Sequence, residues 1–380
     1  MQQLTRRLLL IAVGIGAAAP MFAAAQNATD SRRSSSGAVF VMTNDATSNE
    51  VISYVRTPDG QLFIGDRYAT GGRGSGGTVD PLQSQGSLTL SQDHSFLFAA
   101  NAGSGTISVF RVRGASLKLV DQANSGGSEP LSIAQNGNLL YVLNGAAAGS
   151  VVAFQWDGRK LRQIPNGTSF LSGTSAGGSS ITISPNRKVL VVTERLTNNI
   201  DTFKMKADGT LAPIVVNNSK APGVFSAAFT PEGAFVVSET GVPNAADASA
   251  ISSYTVMNDG TLSPVSQSVP TLGAANCWNA VAPNGEWVYA SNAGSNSIAG
   301  FAIGKGGALT PIGATVLASN PDGSTNLDIA VSADSSYVYT LNSGAGTIGV
   351  FAIQKDGSLV DSGQVGGLPK AAGFNGIAAF

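Results

Sequence analysis

Short runs of Val, Ile, Phe, Tyr and Leu alternate along the chain with clusters of Gly, Asn, Asp and Ser, and no helical period appears. Seven such runs, at 39–42, 96–99, 140–143, 189–192, 235–237, 287–290 and 337–341, read as strands. A hairpin follows each of them around Asp59-Gly60, Arg113-Gly114, Asp157-Gly158, Asp208-Gly209, Asp259-Gly260, Gly306-Gly307 and Asp356-Gly357. Two-residue Asp-Gly hairpins place both turn residues at positive φ, which predicts that geometry here. Small-residue strands precede most of the seven runs, for example at 87–90, 131–134, 181–184 and 280–282. The unit therefore holds four strands and repeats about every 50 residues.

Seven four-stranded units of that length predict an all-β, seven-bladed β-propeller over residues 37–380, with the small-residue strand innermost where blades crowd the axis. The first unit lacks its inner strand, and the chain ends in a spare one, Asn-Gly-Ile-Ala-Ala-Phe at 375–380. Pairing the two ends completes a blade and removes open sheet edges.

The N-terminus follows a different pattern. Arg6 and Arg7 precede an apolar run from Leu8, and Ala23-Ala24-Ala25 precede Gln26. This is the layout of a secretory signal over residues 1–25, with a twin-arginine-like Arg6-Arg7 pair, followed by a polar leader over 26–36. The reading predicts a periplasmic or secreted protein whose mature part has no membrane span and is a monomer.

Composition narrows the chemistry. The 22 basic and 23 acidic residues give a net charge of −1, without the basic excess of a nucleic-acid surface, so no nucleic-acid partner is expected. One cysteine, Cys277, and one histidine, His94, argue against disulfides, thiolate or multi-histidine metal centres and a histidine triad. No cofactor and no metal are expected. The glycines at 71–77 lie between blades and lead into no helix, so they are not a phosphate cradle. His94 reads as exposed and silent, and Cys277 as a non-nucleophile.

Aligned across the units, the second strand ends in Asn44, Asn101, Asn144, Glu194, Glu239, Asn292 and Asn342. Asparagine here has a structural explanation, a left-handed backbone and a hydrogen bond to its own turn. Glu194 and Glu239 break the pattern in consecutive blades. Two carboxylates at one channel mouth can share a proton, divide into acid and base, or hold a cation, and they can equally be solvated loop residues. Arg195 reads first as a surface ion pair and otherwise as a clamp for an anionic group. The approaches to the inner strands offer Gln85, Glu129, Ser179, Phe225, Trp278 and Asn326 as a mixed polar and aromatic lining.

The units LFAANAGSGTISVFRV, WVYASNAGSNSIAGFAIGKGGALTPI and YVYTLNSGAGTIGVFAIQKDGSLV resemble the seven-bladed propeller lactonase family, which includes propeller-type 6-phosphogluconolactonase and 3-carboxymuconate cyclase. The blade pattern is also similar to that of YVTN-type surface-layer propellers. The resemblance covers 37–380 and puts Glu194, in VVTERLTNNIDTF, on the family's glutamate position. Where the family has a histidine after a proline, this chain has Glu129-Pro130-Leu131-Ser132. The family's next basic positions hold Gly177-Gly178-Ser179-Ser180 and Asn276-Cys277-Trp278. The resemblance implies a lactonase acting on a small sugar or aromatic lactone, with Glu194 as general base and Glu239 as its acid partner. Arg195, Glu129, Trp278 and Asn292 would contact the substrate. The alternative is a non-catalytic propeller that binds a carbohydrate, an envelope component or a protein.

Overall fold

The computed structural model describes residues 37–243 and 245–380; the signal and leader segments expected over 1–36 lie outside them. The described residues form 28 strands in seven antiparallel four-stranded sheets, with one 3-10 turn at Lys305–Gly307. Numbered in chain order, blade one is β28 (Ile377–Ala379), β1 (Gly37–Met42), β2 (Glu50–Arg56) and β3 (Leu62–Ala69). Blade two is β4 (Leu88–Leu90), β5 (Phe96–Asn101), β6 (Thr106–Arg113) and β7 (Ser116–Asn124). Blade three runs from β8 (Pro130–Asn136) through β9 (Leu139–Asn144) and β10 (Ser150–Trp156) to β11 (Leu161–Phe170). The fourth is β12 (Gly178–Ile183), β13 (Val189–Glu194), β14 (Asn199–Lys204) and β15 (Val215–Asn218), and the fifth β16 (Val224–Phe229), β17 (Phe235–Glu239), β18 (Ala250–Val256) and β19 (Leu262–Pro270). The sixth is β20 (Asn276–Val281), β21 (Trp287–Asn292), β22 (Ser297–Ile303) and β23 (Leu309–Ser319). The seventh is β24 (Asn326–Val331), β25 (Tyr337–Asn342), β26 (Thr347–Ile353) and β27 (Leu359–Val365).

The seven inner strands β28, β4, β8, β12, β16, β20 and β24 pack side by side in a closed ring. Second and third strands carry continuous buried runs because each faces a neighbouring blade on both sides, whereas outer strands such as β11 alternate with solvent. The apolar residues accordingly form seven clusters, each centred between two consecutive blades, with Leu131 and Phe225 reaching in from a third.

Closure works as the sequence predicts. β28 pairs with β1 through Val39↔Ala379, Phe40↔Ala378 and Val41↔Ile377. The Met42 amide donates to Gly376 O at 3.1 Å and the Phe380 amide to Ala38 O at 3.0 Å. Gly37 is required there, since a Cβ would lie 1.9 Å from the Phe380 carbonyl oxygen. His94 is half-buried rather than free, stacked on the Phe380 ring at 5.3 Å.

The Asp-Gly turns differ from the two-residue expectation, whereas blade two keeps a two-residue loop between the paired Arg113 and Ser116. In Asp59-Gly60 only Gly60 has positive φ (87°), and the same holds at Gly158, Gly209, Gly260 and Gly357. The loop is longer: the Gly60 amide donates to Thr57 O and the Thr57 amide to Gln61 O. The aspartate caps the turn instead, as where the Thr210 amide donates to Asp208 Oδ1 at 2.9 Å.

Candidate active site

The seven residues aligned at the ends of the second strands are buried, and of the asparagines only Asn44 has positive φ (52°). They serve as latches between blades. Each reaches the segment that leaves the previous blade's outer strand: Thr70 Oγ1 donates to Asn101 Oδ1 at 2.7 Å, Asn144 Nδ2 to Ser125 O at 3.3 Å, and Asn342 Nδ2 to Asn320 Oδ1 at 2.9 Å. Asn292 donates to Ser297 Oγ at 3.1 Å and lies under Gly273, where a Cβ would come within 2.4 Å of its Nδ2.

Glu194 and Glu239 do the same work with the polarity reversed. Ser172 donates its amide to Glu194 Oε1 at 2.8 Å and its hydroxyl to Oε2 at 2.6 Å. Glu239 accepts from Ser219 Oγ at 2.8 Å, the Ala221 amide at 3.1 Å and Ser252 Oγ at 2.9 Å. Both carboxylates are fully buried, each is saturated by donors from the preceding connection and from its own blade, and no hydrogen bond joins them. Burial works to raise Glu194, but bonds from Asp201, Ser172 and Thr197 outweigh it and hold the carboxyl below its ordinary value. Burial and the Glu194 carboxylate push Asp201 up to about 9, so Asp201 keeps its proton at neutral pH and donates it to Glu194. Strand register puts Asp201 opposite Val192, two residues before the latch. Ser108 and Ser252 occupy that place in blades two and five: Ser108 Oγ accepts from the Asn101 side-chain amide, whereas Ser252 donates to Glu239 as Asp201 does to Glu194.

The axis itself is filled. Residues Ser84 and Gln85, between β3 and β4, cross it and bond to four other blades. Ser84 Oγ donates to Leu131 O at 2.9 Å, and the Gln85 amide to Ser179 O at 2.9 Å. Gln85 Nε2 donates to Asn279 O at 2.9 Å and to Asp328 Oδ1 at 3.2 Å. Trp278 is buried against this plug, its Nε1 donating to Ser84 O at 2.9 Å and its ring edge-on to Phe225 at 5.3 Å. Asp328 Oδ2 accepts the Ile377 amide at 3.0 Å, which ties the plug to the closing strand. Burial raises Asp328 to about 7.

The plug leaves an off-axis pocket of about 280 Å³ at the mouth, over blades two to four. Its walls include Gln83 and Pro81, Glu129, Gly177 and Arg195. Here two expected residues, Glu129 and Arg195, come together, whereas Glu194 and Glu239 are buried latches, Trp278 belongs to the plug and Asn292 to a latch. Arg195 makes none of the ion pairs among the described residues, and its Nε is buried without a hydrogen-bond partner, so the surface ion pair is absent. Burial works against its charge, and the Asp80 carboxylate offsets part of that cost. Asp80 accepts from the Gln83 amide and from Asn375 Nδ2, each at 3.0 Å. Its burial outweighs these bonds and the Arg195 charge and raises it to about 7. The same surroundings push the Cys277 thiol up and keep it protonated. Glu129 is exposed, with a left-handed φ of 56°. Gly177, Gly223, Ala275 and Thr325 adopt that conformation at the corresponding places before β12, β16, β20 and β24.

Asp80, Gln83 and the plug were not foreseen. The one local signal is Asp80-Pro81, a dipeptide that favours a turn, in an otherwise featureless inter-blade segment. Among the described residues no group of His, Cys, Asp and Glu could hold a metal ion.

The family described as Lactonase, 7-bladed beta-propeller matches residues 39–162. The chain resembles the propeller lactonases. The structure of a Pseudomonas aeruginosa periplasmic gluconolactonase matches at a TM-score of 0.65 and 17% identity, over 90% of this chain and 99% of that one. A Bacteroides uniformis protein assigned as a 6-phosphogluconolactonase matches at 0.69 and 16%, over 91% and 100%. Streptogramin B lyase matches at 0.55 and 16%, over 80% and 87%. At such identities the likeness is one of fold, and a shared fold does not carry a reaction with it. No curated protein matches in sequence.

Proposed function

We propose that this propeller is a lactonase that opens a small sugar or aromatic lactone in the mouth pocket. The observation that carries the reading is the half-buried Arg195 guanidinium, unpaired at Nε, in one small pocket with the Glu129 carboxylate. Glu129 takes a proton from water as the water oxygen attacks the lactone carbonyl. The oxyanion that forms meets the Arg195 donors, which gain most when charge develops beside them in a desolvated site. Collapse breaks the ring C–O bond, and the alkoxide leaving group recovers the proton from Glu129. The new carboxylic acid gives its proton to solvent, and the hydroxy-acid anion leaves from Arg195.

Glu194 and Glu239 then act from behind, fixing the loops that carry Gly177 and Arg195. Their burial and saturated hydrogen bonds favour that part over a reacting one. We also propose export: Arg6-Arg7 and the apolar run after them read as a signal, and no described helix is long and apolar enough to cross a membrane. The test is pH-stat hydrolysis of gluconolactone, 6-phosphogluconolactone and a muconolactone, corrected for spontaneous opening. A rate above background that collapses in Glu129→Gln supports the proposal; background rates on every lactone overturn it.

A further inference from the structure

The face opposite the mouth carries a second recess. Between the outer strands of blades two and three lies a groove of about 560 Å³, walled by Arg111, Arg113, Lys118 and Arg159 and floored by Leu117 and Val120. For a chain that is only 12% charged, four cations in one groove are a strong local excess. The two nearby acids are already engaged: Asp121 with Lys160 at 2.8 Å, and Asp157 with Arg162. None of the four groove cations takes part in an ion pair among the described residues. Arg111 and Lys118 stand directly opposite each other in the β6–β7 register, an arrangement in which like charges repel. Arg111 is held over the Phe96 ring at 4.9 Å, so its guanidinium is positioned rather than free to swing away.

We propose that this groove binds an acidic oligosaccharide. Carboxylates on successive sugars pair with the arginine forks, and the apolar C–H faces of the rings lie on Leu117 and Val120. The volume is that of a small-ligand site. A bilayer surface would call for a protruding apolar face rather than a recess. Single-stranded nucleic acid would call for exposed aromatic platforms, whereas Phe96 is half-buried under Arg111 and Trp156 is buried. The groove is independent of the mouth pocket, so it stands or falls separately from lactone opening.

The test is calorimetric titration of the full chain with trigalacturonate, with maltotriose as the neutral counterpart and a short DNA duplex as the competing polyanion. Trigalacturonate binds, weakens as salt is raised, and loses about tenfold or more in affinity in the exposed double variant Arg113→Ser/Arg159→Ser. Lys305→Ser, an exposed cation elsewhere, changes nothing. Any lactone turnover is the same in the double variant as in the native chain. Undiminished binding in that variant, equal binding of maltotriose, or preferred binding of the duplex overturns the assignment.

Discussion

Glu129 occupies a backbone conformation that glycine fills at Gly177 and Gly223, the corresponding places in blades four and five. A left-handed non-glycine residue costs on the order of 1 kcal/mol. Glu129→Gly is therefore expected to raise stability by about 1 kcal/mol in denaturant unfolding while abolishing lactone turnover. A variant that gains stability and keeps its rate would remove Glu129 from the chemistry. Glu194 is expected to behave in the opposite way. Glu194→Gln should lose about 1–3 kcal/mol of stability, because charge-assisted bonds to Ser172 and the proton shared with Asp201 go together. Its residual turnover per folded molecule should stay near native, measured well below the new melting temperature. Aligning the second-strand ends was enough to single out Glu194 and Glu239 in the sequence. Their role was hidden because it depends on Ser172 and Ser219, which come from the preceding connection and carry no pattern of their own.

Among elements, the blades were legible because each repeats one strand–turn code seven times. The plug was not, since Gln85 resembles any other residue that precedes an inner strand until its contacts in four distant blades are known. β28 is the element on which the ring depends. Deleting residues 376–380 strips β1 of its partner, leaves Asp328 without the Ile377 amide and uncovers the Phe40 and Val41 edge. The expected cost is at least about 3 kcal/mol, from the buried Ile377 side chain and the lost ladder bonds, with aggregation on heating. Differential scanning calorimetry with light scattering reads both effects, and an unchanged melting temperature would refute this view of closure.

For the molecule as a whole, buried carboxyls set the pH profile of stability. Asp80 and Asp328 are raised to about 7 and Asp201 to about 9, so the native state retains protons that the unfolded chain releases near pH 4. Stability therefore falls as pH rises from about 4 through 7, and continues to fall through 9 on account of Asp201. His94, held below its ordinary value by burial, opposes this trend only below about pH 6.5. Melting temperatures are expected to be higher at pH 5 than at pH 8.5. Asp201→Ser, which supplies the hydroxyl donor found at Ser252, should flatten the limb between pH 7 and 9. A native profile that climbs between pH 5 and 8.5 would contradict the protonated Asp201.

Against that scaffold the central claim is local: the Arg195 guanidinium stabilises the charge that forms when a lactone opens in the mouth pocket. The most direct measurement is kcat/KM for the best lactone in native protein and in Arg195→Met, which keeps an unbranched apolar stem. The account predicts a fall of about a hundredfold or more, carried mainly by kcat, with little change in melting temperature. A native-like kcat/KM in Arg195→Met would contradict it.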